Sequence, residues 1–80
     1  MTEEEMEEAF AVSGHYHLFR KLRYPIYISG EMDEVDSSVL ESFFSWYSFD
    51  EDHPVFFDDF IYHFRIFRML EKRNILPEVF

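Results

Sequence analysis

The sequence predicts a mainly α-helical fold: a small domain of three helices in 80 residues, with one short β element near residues 24–29 as the sole admixture. Three observations lead there. Apolar side chains recur at helical spacing in three separate stretches. Each stretch has a start signal: Thr2 with Glu5, Asp33, and Pro54. Eleven Phe, five Tyr and one Trp supply the bulk of a core, each aromatic burying roughly 150–250 Å². Residues 1–80 make a single domain, and one so small buries only about 60–65% of its unfolded surface. The same aromatic content excludes a disordered chain despite the charge.

Thr2 and Glu5 have the form of a capping box, with acids crowding the first turn, so the first helix starts near residue 3. Met6, Ala9 and Phe10 form its apolar face. Residues 15–23, with Tyr16, Phe19 and Leu22 three apart, continue that helix past Gly14 or begin another. Tyr24-Pro25 ends the element, because the residue before a proline is pushed away from the α region. Ile26-Tyr27-Ile28, β-branched and aromatic between Pro25 and Gly30, then reads as a short strand. Residues 54–57 are its one candidate partner.

The second helix opens on residues 33–36 with Asp33 as its cap. Val35, Val39, Leu40, Phe43, Phe44, Trp46 and Tyr47 share one broad face. The opposite face is mostly serine, small enough to receive another element closely, and residues 50–52 break the helix. The third helix begins at His53-Pro54 and runs to about Arg73, with Asn74 to cap it and Pro77 to stop it. Its main face is Phe56, Phe57, Phe60, Phe64, Phe67 and Leu70. A narrower stripe of Val55, Tyr62, Ile66 and Met69 runs along a second side. A helix apolar on two sides is either central in the fold or covered by a partner, which makes this stripe a candidate self-association surface for a homodimer.

Composition excludes several function classes. Without cysteine there are neither disulfides nor thiolate metal sites. Two glycines are too few for a glycine-rich phosphate loop. No apolar run approaches the ~18 residues of a membrane span, and an acidic N-terminus is the opposite of a signal peptide. The expectation is a soluble cytoplasmic protein.

Charge is where the sequence speaks to function. The formal net charge is −10, from 17 acids and 7 bases, and the signs are kept apart. Residues 1–19 hold five acids and no Lys or Arg; Arg20, Lys21 and Arg23 follow; residues 24–59 hold ten acids and no base. Such segregation gives one strongly negative surface, which repels nucleic acid and attracts basic proteins over a Debye length or so. The candidate partner-binding acids are Glu31, Asp33, Glu34, Asp36, Asp50, Glu51, Asp52, Asp58 and Asp59, with a second row at Glu3, Glu4, Glu7 and Glu8. Carboxylates three or four apart on a helix are about 5–6 Å apart at Cβ, comparable to the phosphate repeat of a nucleic-acid strand. Tyr47 and Phe49, beside the 50–52 cluster, have the composition of a hot spot with a charged rim.

Other chemistries find no support. Residues 50–59 lack the alternating acids and central glycine of a calcium loop. His15 and His17 are two apart, and His53 and His63 are isolated, so all four read as surface or boundary residues and no metal or cofactor is implied. The serines form no nucleophile elbow, and no enzyme is expected. Arg20, Lys21 and Arg23, with Tyr16, Phe19 and Tyr24 among them, resemble a miniature nucleic-acid patch, but three charges do not reverse a net −10. In size, charge and aromatic content the chain is similar to the small acidic inhibitors that phages encode, DNA mimics and anti-CRISPR proteins among them. That likeness implies an inhibitor acting in the host-cell cytoplasm on the basic groove of a nucleic-acid-binding protein. The alternatives are an adaptor acting through apolar helix faces, and an immunity protein or antitoxin that neutralises a basic toxin.

Overall fold

A computed structural model describes residues 1–73. They form four helices in the order α1 (Glu3–Val12), α2 (Tyr16–Ser29), α3 (Ser37–Trp46) and α4 (Phe57–Lys72), and no strand occurs among them. The helical class expected from the sequence is present; the count is four because Gly14, at φ +82°, separates α1 from α2. Asn74 and Pro77, expected to cap and stop the last helix, lie outside the described residues.

The helices close a ring. α1 packs on α2, α2 on α4, α4 on α3, and α3 on α1, so each occupies a corner and none is central. The middle is aromatic. Phe10 of α1 stacks across the diagonal on Phe60 of α4 at 5.9 Å, and it meets Phe44 of α3 edge-on at 5.0 Å. Phe43 lies against Phe60, Phe64 and Phe67 at 5.2–5.6 Å, tying α3 to α4. All of these rings are buried. Offset and edge-to-face pairs of this kind contribute about 0.5–1.5 kcal/mol each beyond their area.

The α1 start is as the sequence predicts. The Glu5 N–H donates to Thr2 Oγ1 at 3.1 Å, and the Thr2 N–H donates to Glu5 Oε1 at 2.9 Å. The Thr2 N–H bond to the charged carboxylate is the main cause holding the Glu5 carboxyl below its usual range.

Residues 24–29 are not a β element. They are the last turns of α2, with Pro25 inside the helix. Leu18, Leu22 and Ile26 are buried at a spacing of four, while Tyr27 and Ile28 are exposed, so the segment buries one helical stripe and not alternate residues. An interior proline costs about 3 kcal/mol. Fully burying a Leu and an Ile contributes about 1.5–3 kcal/mol each, which offsets it.

The second predicted helix starts late. Residues 30–35 make turns instead, with the Asp33 N–H donating to Gly30 O and the Val35 N–H to Met32 O. Met32 and Val35 are thereby buried, and Asp36, not Asp33, is the residue at the α3 N-cap. The third predicted helix also starts late, at Phe57 and not at His53-Pro54. Residues 47–56 run irregularly so that Phe49 and Val55 reach the core. Phe56, assigned to the buried face, is instead 67% exposed at the N-cap of α4. Val55 leaves the second stripe, since it precedes the helix and packs on the core.

Candidate acidic interface

The packing pairs divide the molecule by charge. α1 carries Glu3, Glu4, Glu5, Glu7 and Glu8, α3 carries Glu41, and neither has a Lys or Arg. Every described Lys or Arg lies on α2 or on α4 and its C-cap. Because α1 packs on α3 and α2 packs on α4, the bases gather in one half of the ring and leave the other without any.

Within the acidic half the α1 row splits into two edges. Glu3 and Glu7 face α2: Glu3 Oε1 is 3.1 Å from the Arg23 guanidinium, and Glu7 Oε2 accepts the Tyr16 hydroxyl at 3.0 Å. The carboxylate beside that phenol pushes its pKa up. Glu5 and Glu8 face α3 and, with Ala9, Val12, Ser37 and Glu41, line a groove of about 210 Å³. Sequence reading missed this groove. Its signal is the serine face of α3, since Ser37 has no bulk to fill the space between the helices.

The other predicted acids occupy the two ends of α3. Asp33, Glu34 and Asp36 are exposed before its N-terminus, and Asp50, Glu51 and Asp52 are exposed after its C-terminus. Ten helical residues separate these groups, about 15 Å at 1.5 Å per residue. Asp50 is fixed locally: its Oδ1 accepts the Asp52 N–H at 2.9 Å, and its Oδ2 lies 2.8 Å from His53 Nδ1. Those contacts, the backbone N–H first, hold its carboxyl below the usual range. Asp50 and Asp59 line one hollow with Tyr47, Phe49 and Val55, and Asp58 is exposed beside it on the first turn of α4.

Three further predicted site residues have partners within the chain. Glu31 is bonded to Arg65 through both the Nε and a terminal nitrogen of the guanidinium, so an acid from the base-free sequence stretch meets a base in space. It lies with Asp33, Glu34, Arg65, Arg68 and Lys72 around an open depression of about 840 Å³ whose charges are mixed. Phe49 is half-buried, its ring 5.6–6.3 Å from those of Phe43, Phe44 and Phe60. Tyr47 stacks on His63 at 4.2 Å and is half-buried.

His15 departs from its expected boundary role. It is 5% exposed and stacks on Phe44 at 4.2 Å. Its Nε2 accepts the Phe49 N–H at 3.0 Å, which places the ring proton on Nδ1, facing Ser13 O at 3.0 Å. Burial, then the nearby His17, lowers its pKa, while the bond to Ser13 opposes them. The ring is a structural pin on the segment that follows α3. Among the described residues no three His, Asp or Glu side chains are grouped to hold a metal ion, and no helix is long and apolar enough to cross a membrane.

Comparison with known proteins adds no relative: no family model, no curated protein and no solved structure matches the chain.

Proposed function

We propose that this protein is a non-enzymatic inhibitor that presents the carboxylates of its α1–α3 half, with those flanking α3, to the basic groove of a nucleic-acid-binding protein in the cytoplasm. The observation that carries the reading is the absence of any Lys or Arg from two helices that pack on each other. Asp33, Glu34, Asp36, Glu8, Glu41, Glu51 and Asp52 have no ion pair among the described residues. They are left to meet charges on another molecule. The span of about 15 Å between the acids at the two ends of α3 corresponds to four or five phosphates at a rise of about 3.4 Å each. Steering by such a field accelerates association, and apolar contacts set how long the complex lasts.

The test is capture of the partner from the source cell, followed by binding measurements on the captured protein. Reversing Glu8, Glu41 and Asp52 to Lys should slow association and flatten its salt dependence, and added DNA should compete. Affinity that is flat in salt, with no nucleic-acid competition, would replace this reading with an adaptor held by apolar contacts. Tyr62 and Met69, exposed at 63% and 44% on the outside of α4, favour that second reading.

A further inference from the structure

Among the described residues, the outer face of α4 is the one helix surface with the charge pattern of a self-complementary interface. Phe60, Phe64 and Phe67 point to the core, and at 100° per residue Tyr62, Ile66 and Met69 lie on the opposite side. The ring arrangement leaves that side uncovered, with Tyr62 and Met69 63% and 44% exposed. A helix apolar on two faces is explained by a central position or by a partner. The structure removes the first explanation.

Charge identifies the partner. A charged surface pairs favourably with its own copy when it carries both signs. Among the described residues α1 and α3 carry only acids and α2 only bases, so any of these faces set against itself brings like charges together. α4 begins with Asp58 and Asp59 and ends with Lys72 and, at its C-cap, Arg73. None of these four makes an ion pair among the described residues. We infer that a second copy of this chain docks on this face, with the two α4 helices antiparallel about a two-fold axis passing between Arg65 and Ile66.

The register follows from the sequence. With the axis at that point, Asp58 meets Lys72 of the copy, Asp59 meets Arg73, and Tyr62 meets Met69, and each contact occurs twice. At 100° per residue Asp58 and Lys72 lie on one edge of the apolar stripe and Asp59 and Arg73 toward the other, and an antiparallel two-fold brings together residues of the same edge. Moving the axis by one helical turn breaks all three pairings. The central contacts are Ile66 against its own copy and a thioether against a phenol ring, both favourable packing. α4 is 16 residues long, about 24 Å, so the contact is a single helix pair and belongs with small, weak interfaces. α1 lies diagonally across the ring from α4, so the pair leaves both acidic halves outward and free. The inference stands whether or not those acids mimic phosphates.

Sedimentation of the purified chain up to about 1 mM, a concentration that detects a millimolar dimer, is the test. A concentration-dependent dimer is expected. Tyr62→Lys, at an exposed site, should weaken it about tenfold or more, and circular dichroism should show the monomer still helical. If Tyr62→Lys unfolds, Met69→Lys takes its place. Asp58→Arg should weaken the dimer, and Asp58→Arg combined with Lys72→Asp should restore it, because the swapped charges meet again across the two-fold. A parent that stays monomeric at 1 mM overturns the inference, as does a dimer indifferent to Tyr62→Lys and Met69→Lys. A double swap no tighter than Asp58→Arg alone overturns the antiparallel register.

Discussion

The α1–α3 pair and the α2–α4 pair contribute alike to the inside of the molecule and differently to the outside. Inward, one supplies Phe10, Phe43 and Phe44, and the other supplies Phe19, Phe60, Phe64 and Phe67 to the same aromatic cluster. Outward, the first is acidic throughout and the second holds every described base. Folding does not require this division. On α1, Glu3 with Glu7 and Glu4 with Glu8 are like charges at i,i+4, each destabilising a helix by about 0.2–0.5 kcal/mol, whereas mixed signs would stabilise it by as much. A surface kept against its own local electrostatics is what the proposed recognition role would account for. The informative experiments are therefore those that strain the joints between the two halves and separate what holds them together from what merely coats them.

The largest effect is expected at Phe43, whose ring joins α3 to Phe60, Phe64 and Phe67 of α4. Phe43→Ala should cost about 3–5 kcal/mol, most of the stability of so small a domain. Urea unfolding reads this directly. An unchanged midpoint would mean that the halves are not joined there.

His15 is the next joint, since it precedes α2 and accepts the Phe49 N–H beyond α3. Its folded pKa lies below the ordinary imidazole value of 6.5. The unfolded chain therefore binds the proton more readily. The contribution of His15 is fully present above pH 6.5 and is lost as pH falls from there toward the folded pKa. His15→Phe keeps the stacking but strands the Phe49 N–H, at a cost of about 1–3 kcal/mol, and should remove that acid-side loss. Thermal unfolding of both proteins across pH 5 to 8 makes the comparison. Parallel profiles would exclude His15 as the titrating group.

These joints show what the sequence made legible. The capping box of Thr2 and Glu5 and the Phe60, Phe64, Phe67 face were readable because their partners lie within one helical turn or two. The spacing of Leu18, Leu22 and Ile26 was equally present, but Pro25 hides it, since the local cost of proline is visible in a sequence and the burial that offsets it is not. The starts of α3 and α4 were misplaced for a related reason: Met32, Val35 and Val55 are placed by distant contacts that override good local start signals. For the site, acidity was legible and geometry was not. Nothing local indicates that Glu5 and Glu8 share a groove with Glu41, or that Glu31 is taken up by Arg65, because both follow from which helices pack together.

A smaller effect is expected at Gly30, where α2 turns toward the acidic half. It holds φ +70°, and a Cβ there would sit 3.2 Å from Asp33 Oδ2. Gly30→Ala should cost about 1–2 kcal/mol from the left-handed backbone alone. Gly30→Asn, better suited to that conformation, should recover part of the loss in the same urea titration. Equal stability of the two variants would assign the cost to the contact with Asp33 and not to the backbone.

The smallest effect is expected at the ion pair between Glu3 and Arg23, which bridges the acidic half to α2 at 3.1 Å. Its side chains are 61% and 57% exposed, so water and salt screen the attraction and the two long side chains give up rotamer freedom to hold it. A double-mutant cycle of Glu3→Gln and Arg23→Gln should give a coupling of about 0–1 kcal/mol that shrinks as salt is added. The contrast with partner binding is the point of the measurement. If exposed charges contribute little to folding and much to recognition, Glu3→Gln leaves the urea midpoint almost unmoved. Glu8→Lys with Glu41→Lys should likewise leave it almost unmoved, yet those reversals should slow association with the proposed basic partner. A coupling well above 1 kcal/mol would show that the surface charges hold the halves together, and would remove the argument that their segregation exists for recognition.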